Sequence, residues 1–384
     1  MSNKINSLLV SPFFFPTNTY QQELCQKIVD RYPDINISIL CYQTTKTQID
    51  KFGSMKVYYV PCFSLIKDQF VLPNYIGLFK ILRKLKKENN FNLVFCETRF
   101  FDSSWWLPIL ARIWKMPSII IDHCASSIKH EYSFINFFGK ILDWFLTKFI
   151  LSQFNMVLGS SRAVVQYLKS FNLKNVDFIG TGVDNIFFNP NKRERKSVNE
   201  KKMTITFASR LLYTKGVDLF YQSIKPLLSK YPDILVKIGG SGPQFNVIKD
   251  QIAKEKLEDS VLLLGALSRE EMSQLLADSD IFVYPSFHHD GIPNIILEAA
   301  VSECAIITSS TGGVGEVIKN NQTGVVLDRL NESSLTQSIE ELINDKEKRL
   351  NLGQSARLLV EDRYRWEKVA ELLSGFMFKV VDRP

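Results

Sequence analysis

The stretch from Met203 to Asp218 reads MTITFASRLLYTKGVD and contains the pattern that decides the fold. It starts with an apolar run, Met203–Ala208, of the β-branched and aromatic kind that buried strands favour. A polar loop with two cations, Arg210 and Lys215, follows before a helical pattern begins. A continuous apolar run that leads through a loop into a helix is typical of a parallel strand covered on both faces.

Eleven further runs of this kind alternate with helical patterns, which indicates βαβ units and parallel sheets. In chain order the twelve runs are Ser7–Val10, Ile35–Leu40, Leu93–Cys96, Ser118–Ile121, Met156–Leu158, Val176–Ile179, Met203–Ala208, Ile234–Ile238, Val261–Leu264, Ile281–Tyr284, Ala305–Thr308 and Gly324–Leu327. The alternation stops between Asn185 and Lys202, where Pro190 and a charged cluster predict an exposed linker.

This interruption divides the 384 residues into two domains of similar size. A Rossmann-like domain is expected over residues 1–184 and a second one over 203–365, joined by the linker 185–202. A C-terminal helix within 366–384 is expected to pack back toward the first domain. The predicted fold class is α/β, with two doubly wound domains that face a central cleft and bind ligands at the carboxyl ends of their strands.

Positive charge is concentrated in the first domain. The net charge is +7, and residues 1–184 contain 21 Lys and Arg against 13 Asp and Glu. This asymmetry favours an anionic partner, either a membrane surface or a phosphorylated ligand, with a solvated lysine-rich surface as the alternative. The six cysteines form no CxxC pair and no uncharged run is apolar enough to span a bilayer, so a reducing, cytoplasmic location is expected.

The exits of the predicted strands in the second domain carry polar groups suited to a phosphorylated ligand. Arg210 as a planar fork and Lys215 as a point charge can clamp a diphosphate. After the run at 281–284, a loop with Asp290 leads into a helix that begins near Pro293 and carries Glu298. The first N–H groups of that helix can bind an anion, and Glu298 can accept hydrogen bonds from sugar or ribose hydroxyls.

Glycines follow two other strands of this domain. Gly239-Gly240-Ser241-Gly242 comes after the run at 234–238, and Gly312-Gly313 with Glu316 comes after the run at 305–308. Glycines at a strand exit allow a ligand to approach the backbone, but any tight turn can also use them.

Taken in order, these motifs resemble those of the retaining, nucleotide-sugar-dependent glycosyltransferases of family 4, which have the two-Rossmann GT-B fold. The resemblance extends over nearly all of residues 176–375 and includes Gly182-Val183-Asp184, the pair Asp290 and Glu298, and the Trp366 helix. It implies a hexosyltransferase-type enzyme that moves a sugar from a nucleotide sugar to a glycan or lipid-linked glycan acceptor in surface polysaccharide or glycoconjugate biosynthesis. The first domain would bind the acceptor and the second the donor.

The resemblance also implies residue roles. Arg210 and Lys215 would neutralise the departing diphosphate, Glu298 would hold the ribose hydroxyls and Asp290 would hold hydroxyls of the donor sugar. The rest of the expected donor-binding set is Gly242, Ile292, Pro293, Asn294 and Glu316. The family usually has Glu where this chain has Asp290, so this carboxylate reaches one methylene less far.

The first domain matches the family less closely. Many members have a glycine pair after the first strand, whereas Pro12–Thr19 contains no glycine. His123 follows the run at 118–121, where the family often has a histidine near the reacting sugar, so His123 is a catalytic candidate. A core histidine bonded to a backbone carbonyl is the alternative.

Two features of the first domain bear on the acceptor. Residues 75–87 predict a helix with an apolar stripe of Ile76, Phe79, Leu82 and Leu85 between basic residues, which fits either a helix on an anionic membrane or a core helix with a solvated face. The aromatic stretches between Trp105 and Trp144 are typical of a core. With the charge, they favour a lipid-linked acceptor and peripheral contact with the cytoplasmic face of a membrane.

No metal or cofactor is expected besides the nucleotide sugar as co-substrate. Asp278-Ser279-Asp280 matches a DxD motif but stands at the amino end of its strand, and the cations with a helix N-terminus can offset the diphosphate charge. The alternatives are another GT-B enzyme, such as a nucleotide-sugar epimerase or a phosphorylase, and a non-catalytic nucleotide-sugar-binding protein. No motif supports nucleic-acid binding.

Overall fold

The computed structural model describes residues 4–14, 19–43, 49–66, 70–127, 133–193, 203–289 and 291–382. They form two compact units. The first contains the described residues of Met1–Ile128, Asn136–Gly180 and Trp366–Pro384, and the second contains those of Lys129–Ile135 and Thr181–Arg365. The chain therefore builds most of the first unit, then the second, and returns to the first through its last helix.

The first unit is built on a nine-stranded sheet in the order β3-β4-β2-β1-β6-β7-β8-β9, with β5 paired to β4. β3 and β5 run antiparallel to β4, and the other neighbouring pairs are parallel. The strands are β1 (Ile5–Val10), β2 (Ile35–Gln43), β3 (Ile49–Phe52), β4 (Met55–Ile66), β5 (Phe70–Pro73), β6 (Leu93–Glu97), β7 (Ser118–Asp122), β8 (Met156–Gly159) and β9 (Val176–Phe178).

Helices cover both faces of this sheet. They are α1 (Thr19–Arg31), α2 (Tyr75–Glu88), α3 (Asp102–Trp114), α4 (Ser133–Phe145) and α5 (Arg162–Lys169). The α4 helix continues through a π-helical turn, Leu146–Ile150, into a 3₁₀ turn, Leu151–Gln153. Side chains of α2, α3, α5 and the 3₁₀ turn share one core with the sheet, while α1 packs on the opposite face.

The second unit is a six-stranded parallel sheet in the order β12-β11-β10-β13-β14-β15, the 3-2-1-4-5-6 arrangement of a Rossmann fold. Its strands are β10 (Met203–Ala208), β11 (Ile234–Gly239), β12 (Val261–Gly265), β13 (Ile281–Tyr284), β14 (Ala305–Ser309) and β15 (Val325–Leu327). Its helices are α6 (Val217–Lys230), α7 (Gln244–Glu255), α8 (Arg269–Ala277), α9 (Asn294–Val301), α10 (Glu332–Asn344) and α11 (Lys346–Arg363). The predicted capping box at the start of α8 is confirmed, with Ser268 and Glu271 as its partners.

The last helix, α12 (Trp366–Val381), belongs to the first unit. It packs beside α1 and buries Trp366, Val369, Leu373 and Met377 in the core on that face of the sheet. The two hydrophobic cores of the second unit draw only on residues between Val183 and Tyr364.

Residues 185–193 pack into the second unit, which differs from the exposed linker expected over 185–202. Phe188 is buried in a core of that unit, and Lys192 donates a hydrogen bond from Nζ to Ser273 Oγ at 3.1 Å. Arg193 bonds Asp280 at 2.6 Å. Aromatic burial and two polar contacts account for this packing, and residues 194–202 lie outside the described part of the chain.

All twelve predicted strands are present and the doubly wound α/β fold class is confirmed. The sequence did not predict β3, β4 and β5. Charged residues such as Asp50, Lys51 and Lys56 interrupt the apolar residues of β3 and early β4, so these strands lack the continuous run of a buried parallel strand. Gly53, at a φ of 57°, makes the tight turn that pairs β3 with β4.

The α2 helix is present, but its predicted apolar stripe is wrong in part. Leu78, Leu82 and Leu85 face the core, while Ile76 and Phe79 are exposed. The spacing 78-82-85 follows the helical period more closely, so these leucines take the inward positions. Among the residues described, the helices are all too short or too polar to cross a membrane.

Candidate active site

The loop after β10 is bound to the loop after β13 in the second unit. The Thr214 carbonyl oxygen accepts hydrogen bonds from the Phe287 N–H at 3.0 Å and from Ser286 Oγ at 3.2 Å. Gly216 has a φ of 78°, and a Cβ there would lie 2.3 Å from the Pro285 carbonyl oxygen. Only glycine allows this close approach, which fixes the position of Lys215 between the two loops.

Lys215 is a largely buried cation at this edge of the sheet. Its side chain is 8% exposed, and Nζ lies 5.8 Å from the ring centroid of Tyr284, the last residue of β13. A lysine is rarely buried without compensating contacts, because desolvation of its ammonium group is costly. Its position at the carboxyl end of a parallel strand is the place where this fold binds ligands.

Arg210 is exposed on the neighbouring part of the same loop, beside the glycine turn after β11. The Leu211 N–H donates to the Ser241 carbonyl oxygen at 2.8 Å. A Cβ on Gly240 would lie 1.8 Å from the Ser209 carbonyl oxygen, and one on Gly242 would lie 2.6 Å from that of Leu211. The glycines therefore have a structural role in bringing these two loops together, and Gly242 lies next to the loop of Arg210.

The loops after β13 and β14 are joined in the same way. The Gly312 N–H donates to His289 Nδ1 at 3.2 Å, and the Gly313 N–H donates to the Gly291 carbonyl oxygen at 2.9 Å. These bonds fix the backbone on both sides of position 290. Asp290 itself lies outside the described residues.

The other predicted donor-binding residues follow these strands. Pro293 directly precedes α9, Ile292 is buried, and the exposed Asn294 accepts a hydrogen bond from Thr181 at 3.4 Å. Glu298 is half-buried on α9, and Glu316 is half-buried in a 3₁₀ turn after β14. The structure thus brings the predicted residues of the second unit that it describes to loops and helix starts that leave one edge of one sheet.

His123 lies in the other unit, one residue beyond β7. Its Nε2 is 3.3 Å from Glu97 Oε2 and 3.5 Å from the Tyr20 hydroxyl oxygen. Burial lowers the pKa of His123, but the hydrogen bond and charge of Glu97, together with the charge of Asp122, outweigh burial and raise it above its ordinary value. The imidazole is 28% exposed, so it is a charge-bearing group that remains accessible.

A buried ion-pair cluster supports the His123 loop, and sequence reasoning missed it. The fully buried Arg99 bonds the carboxylate of Asp122, and its Nε donates to Asp143 Oδ1 at 2.8 Å. It also donates to the carbonyl oxygens of Cys124 and Ser126, each at 2.9 Å. Such a cluster fixes the backbone on both sides of His123, because each group would be costly to leave unpaired.

The DxD match at 278–280 has a structural role in its second carboxylate. Asp280 accepts from Arg193 at 2.6 Å and from the Thr204 N–H at 2.9 Å, at the amino end of the sheet. Within the described residues, no group of three or more His, Cys, Asp or Glu side chains has the arrangement of a metal site.

Comparisons with known proteins extend over both units. Residues 188–359 match the family profile described as glycosyl transferases group 1. The catalogued human phosphatidylinositol N-acetylglucosaminyltransferase subunit is 25% identical over 385 residues, covering 98% of this chain and 76% of that protein. Sucrose-phosphate synthase from Thermosynechococcus elongatus has a TM-score of 0.82 at 15% identity, with 98% of each chain covered. Anabaena HepE in complex with UDP and glucose has a TM-score of 0.72 at 15% identity, over 98% of this chain and 100% of that one.

Proposed function

The chain belongs to the group 1 glycosyltransferases and has the GT-B fold, and from this premise we propose that it transfers a sugar from a nucleotide sugar with retention of anomeric configuration. The observation that carries the proposal is the edge of the second sheet, where bound loops hold Lys215 and Arg210 beside α9 and Glu298. Cations at the carboxyl ends of parallel strands suit a ligand that carries a diphosphate.

The donor site is proposed to act mainly through charge and position. Lys215 and Arg210 stabilise the negative charge that develops on the departing diphosphate, and such preorganised charge is usually the largest catalytic contribution. Glu298 binds the ribose hydroxyls, and Asp290 with the backbone at 292–294 binds the sugar. The UDP complex of HepE, a protein of the same fold, supports a nucleotide in this role.

Metal-independent catalysis is part of the proposal. The two cations can offset the diphosphate charge that a divalent ion offsets in other transferases. Asp280 is occupied by Arg193 and by a backbone N–H, so the DxD match is engaged in the fold of the second unit.

The acceptor is proposed to be a glycan attached to a lipid, at the cytoplasmic face of a membrane. The human relative is named for transfer to phosphatidylinositol, which supports a lipid-borne acceptor. The excess of cations in residues 1–184 fits contact with anionic lipid headgroups. All six cysteines are free thiols, as in a reducing compartment.

The test is thermal unfolding with UDP, GDP or ADP in the presence of EDTA. A nucleotide at a hundred times its dissociation constant should stabilise the chain by about 2.7 kcal/mol. Glu298→Gln should abolish the shift, whereas Glu332→Gln, an exposed carboxylate on α10 of the same unit, should retain it. Absence of any shift, or an equal shift in Glu298→Gln, would contradict the proposed donor site.

A further inference from the structure

The α4 helix and its π-helical turn have apolar side chains on the outside, which corrects the core role expected for this aromatic stretch. Phe137 and Phe138 are 61% and 65% exposed, and Ile141, Leu142, Trp144, Phe145 and Phe149 are each more than 40% exposed. Of the residues described between Asn136 and Ile150, the buried ones are Gly139, Asp143, Leu146 and Thr147. This is the reverse of a surface helix in water, which buries its apolar face.

The buried polar face of α4 holds the helix in this orientation. Asp143 accepts from Arg99 Nε at 2.8 Å, from the Tyr167 hydroxyl and from Thr147 Oγ1 at 3.5 Å. If the helix rotated to bury its aromatic side chains, this carboxylate would leave a fully buried arginine without its partner. The apolar face is therefore kept outward by the fold.

Neighbouring helices extend the apolar surface. Lys86 of α2 lies 5.5 Å from the ring centroid of Trp114 on α3, and Arg112 of α3 bonds Gln153 in the 3₁₀ turn after α4. These elements thus form one layer on one face of the sheet. Its outer side also exposes Ile76 and Phe79 on α2, and Ile109 and Ile113 on α3.

The exposed charges of this layer are almost all positive. Five cations lie on α2, two at the C-terminal end of α3, and Lys140 and Lys148 among the exposed aromatic residues, against the single exposed carboxylate of Glu88 in the described part of the layer. We call the exposed side chains of α2, α3 and residues 137–149 the aromatic–basic surface. Aromatic side chains with interspersed lysines are the composition of surfaces that lie in the interface of anionic bilayers.

We propose that the aromatic–basic surface docks on an anionic lipid bilayer, with the side chains of 137–149 inserted among the headgroups and acyl chains. A second copy of the chain is a poorer occupant, since a two-fold contact would set these cations against like charges. The inference specifies the membrane contact of the proposed function, which rests on a lipid-linked acceptor, but docking itself requires neither donor nor acceptor.

The test is co-sedimentation of the full chain with vesicles of phosphatidylglycerol and phosphatidylcholine, or of phosphatidylcholine alone. Strong binding is expected only with the anionic vesicles, and it should weaken as salt is raised. Phe137→Ser with Phe138→Ser should lower the partition coefficient at least about tenfold, since two buried aromatic contacts are lost. The matched control is Leu350→Ser with Leu358→Ser, which removes two exposed leucines of α11 in the second unit.

Three results would overturn the proposal. One is no binding of the folded chain to anionic vesicles. Another is wild-type binding by the phenylalanine variant, which would leave charge alone responsible. The third is a dimer that the phenylalanine variant dissociates, without vesicle binding, which would make the surface an interface between copies. Circular dichroism verifies that each variant is folded.

Insertion depth provides a second measurement. Trp144 is 47% exposed within the surface, so brominated acyl chains should quench its fluorescence on binding, and Trp144→Phe should remove most of that quenching. Nucleotide-induced thermal shifts separate the two proposals. Loss of vesicle binding with intact nucleotide shifts counts against docking alone, whereas the opposite result counts against the proposed donor site alone.

Discussion

His123 and Glu97 form the pair whose charge state is most sensitive to substitution. Glu97 raises the pKa of His123 through its hydrogen bond and its charge, against the effect of burial. Glu97→Gln should therefore lower the His123 pKa, and NMR titration of the imidazole protons can measure it because the chain has four histidines. An unchanged pKa would show that Asp122 or another group controls this imidazole.

The same pair predicts how stability depends on pH. A histidine with a raised pKa in the folded state stabilises the fold fully below its unfolded value, and this contribution is lost as pH rises through the folded value. Glu97→Gln should thus reduce stability more at about pH 5.5, where the histidine is charged in both states, than at about pH 8. Urea unfolding at the two pH values measures the difference, and equal losses would contradict the assignment.

At the scale of loops and helices, the glycine turn between β11 and α7 is the best test of how the donor edge is built. Gly240 has a φ of 128° and lies where a Cβ would overlap the Ser209 carbonyl oxygen. Gly240→Ala should destabilise the chain by at least about 1–3 kcal/mol, the cost of a strained backbone conformation. The loop that carries Arg210 would shift as well, so nucleotide binding should weaken.

Gly315→Ala is the matched control for this turn. Gly315 lies in the turn after β14, where an added Cβ would meet no atom within 4 Å, and its φ is not positive. The substitution should change stability by about 0.5 kcal/mol or less, as surface changes usually do. Chemical denaturation of both variants compares them, and similar losses would show that the Gly240 turn is not constrained by contact with the β10 loop.

The elements of the second unit could be predicted from the sequence because each site residue follows its own strand locally. Lys215 comes shortly after a continuous apolar run, so a pattern of a few residues places it at the carboxyl edge. Glu97, Arg99 and Asp143 meet only in the folded chain, and no local spacing connects them. The outward aromatic residues of α4 escape prediction for a related reason, since composition does not show which helix face a buried ion pair holds inward.

At the scale of the whole molecule, chain order and unit order differ. The second unit is continuous from Thr181 to Arg365, and its cores use no residue of the last helix. The first unit is closed by α12, which follows the second unit in the chain but packs beside α1. A chain that ends at Arg365 would therefore lack part of one core while the cores of the other unit stay complete.

Truncation after Arg365 should destabilise the first unit selectively. Removal of buried Trp366, Val369, Leu373 and Met377 should lower its melting temperature by at least about 10 °C, since each loses apolar burial. The remaining tryptophans all belong to the first unit, so their fluorescence reports its unfolding, while circular dichroism reports both units. Two separate transitions and a protease-resistant fragment within 181–365 are expected. A single coincident transition at the lower temperature would contradict the independence of the second unit, because its own cores would then depend on α12.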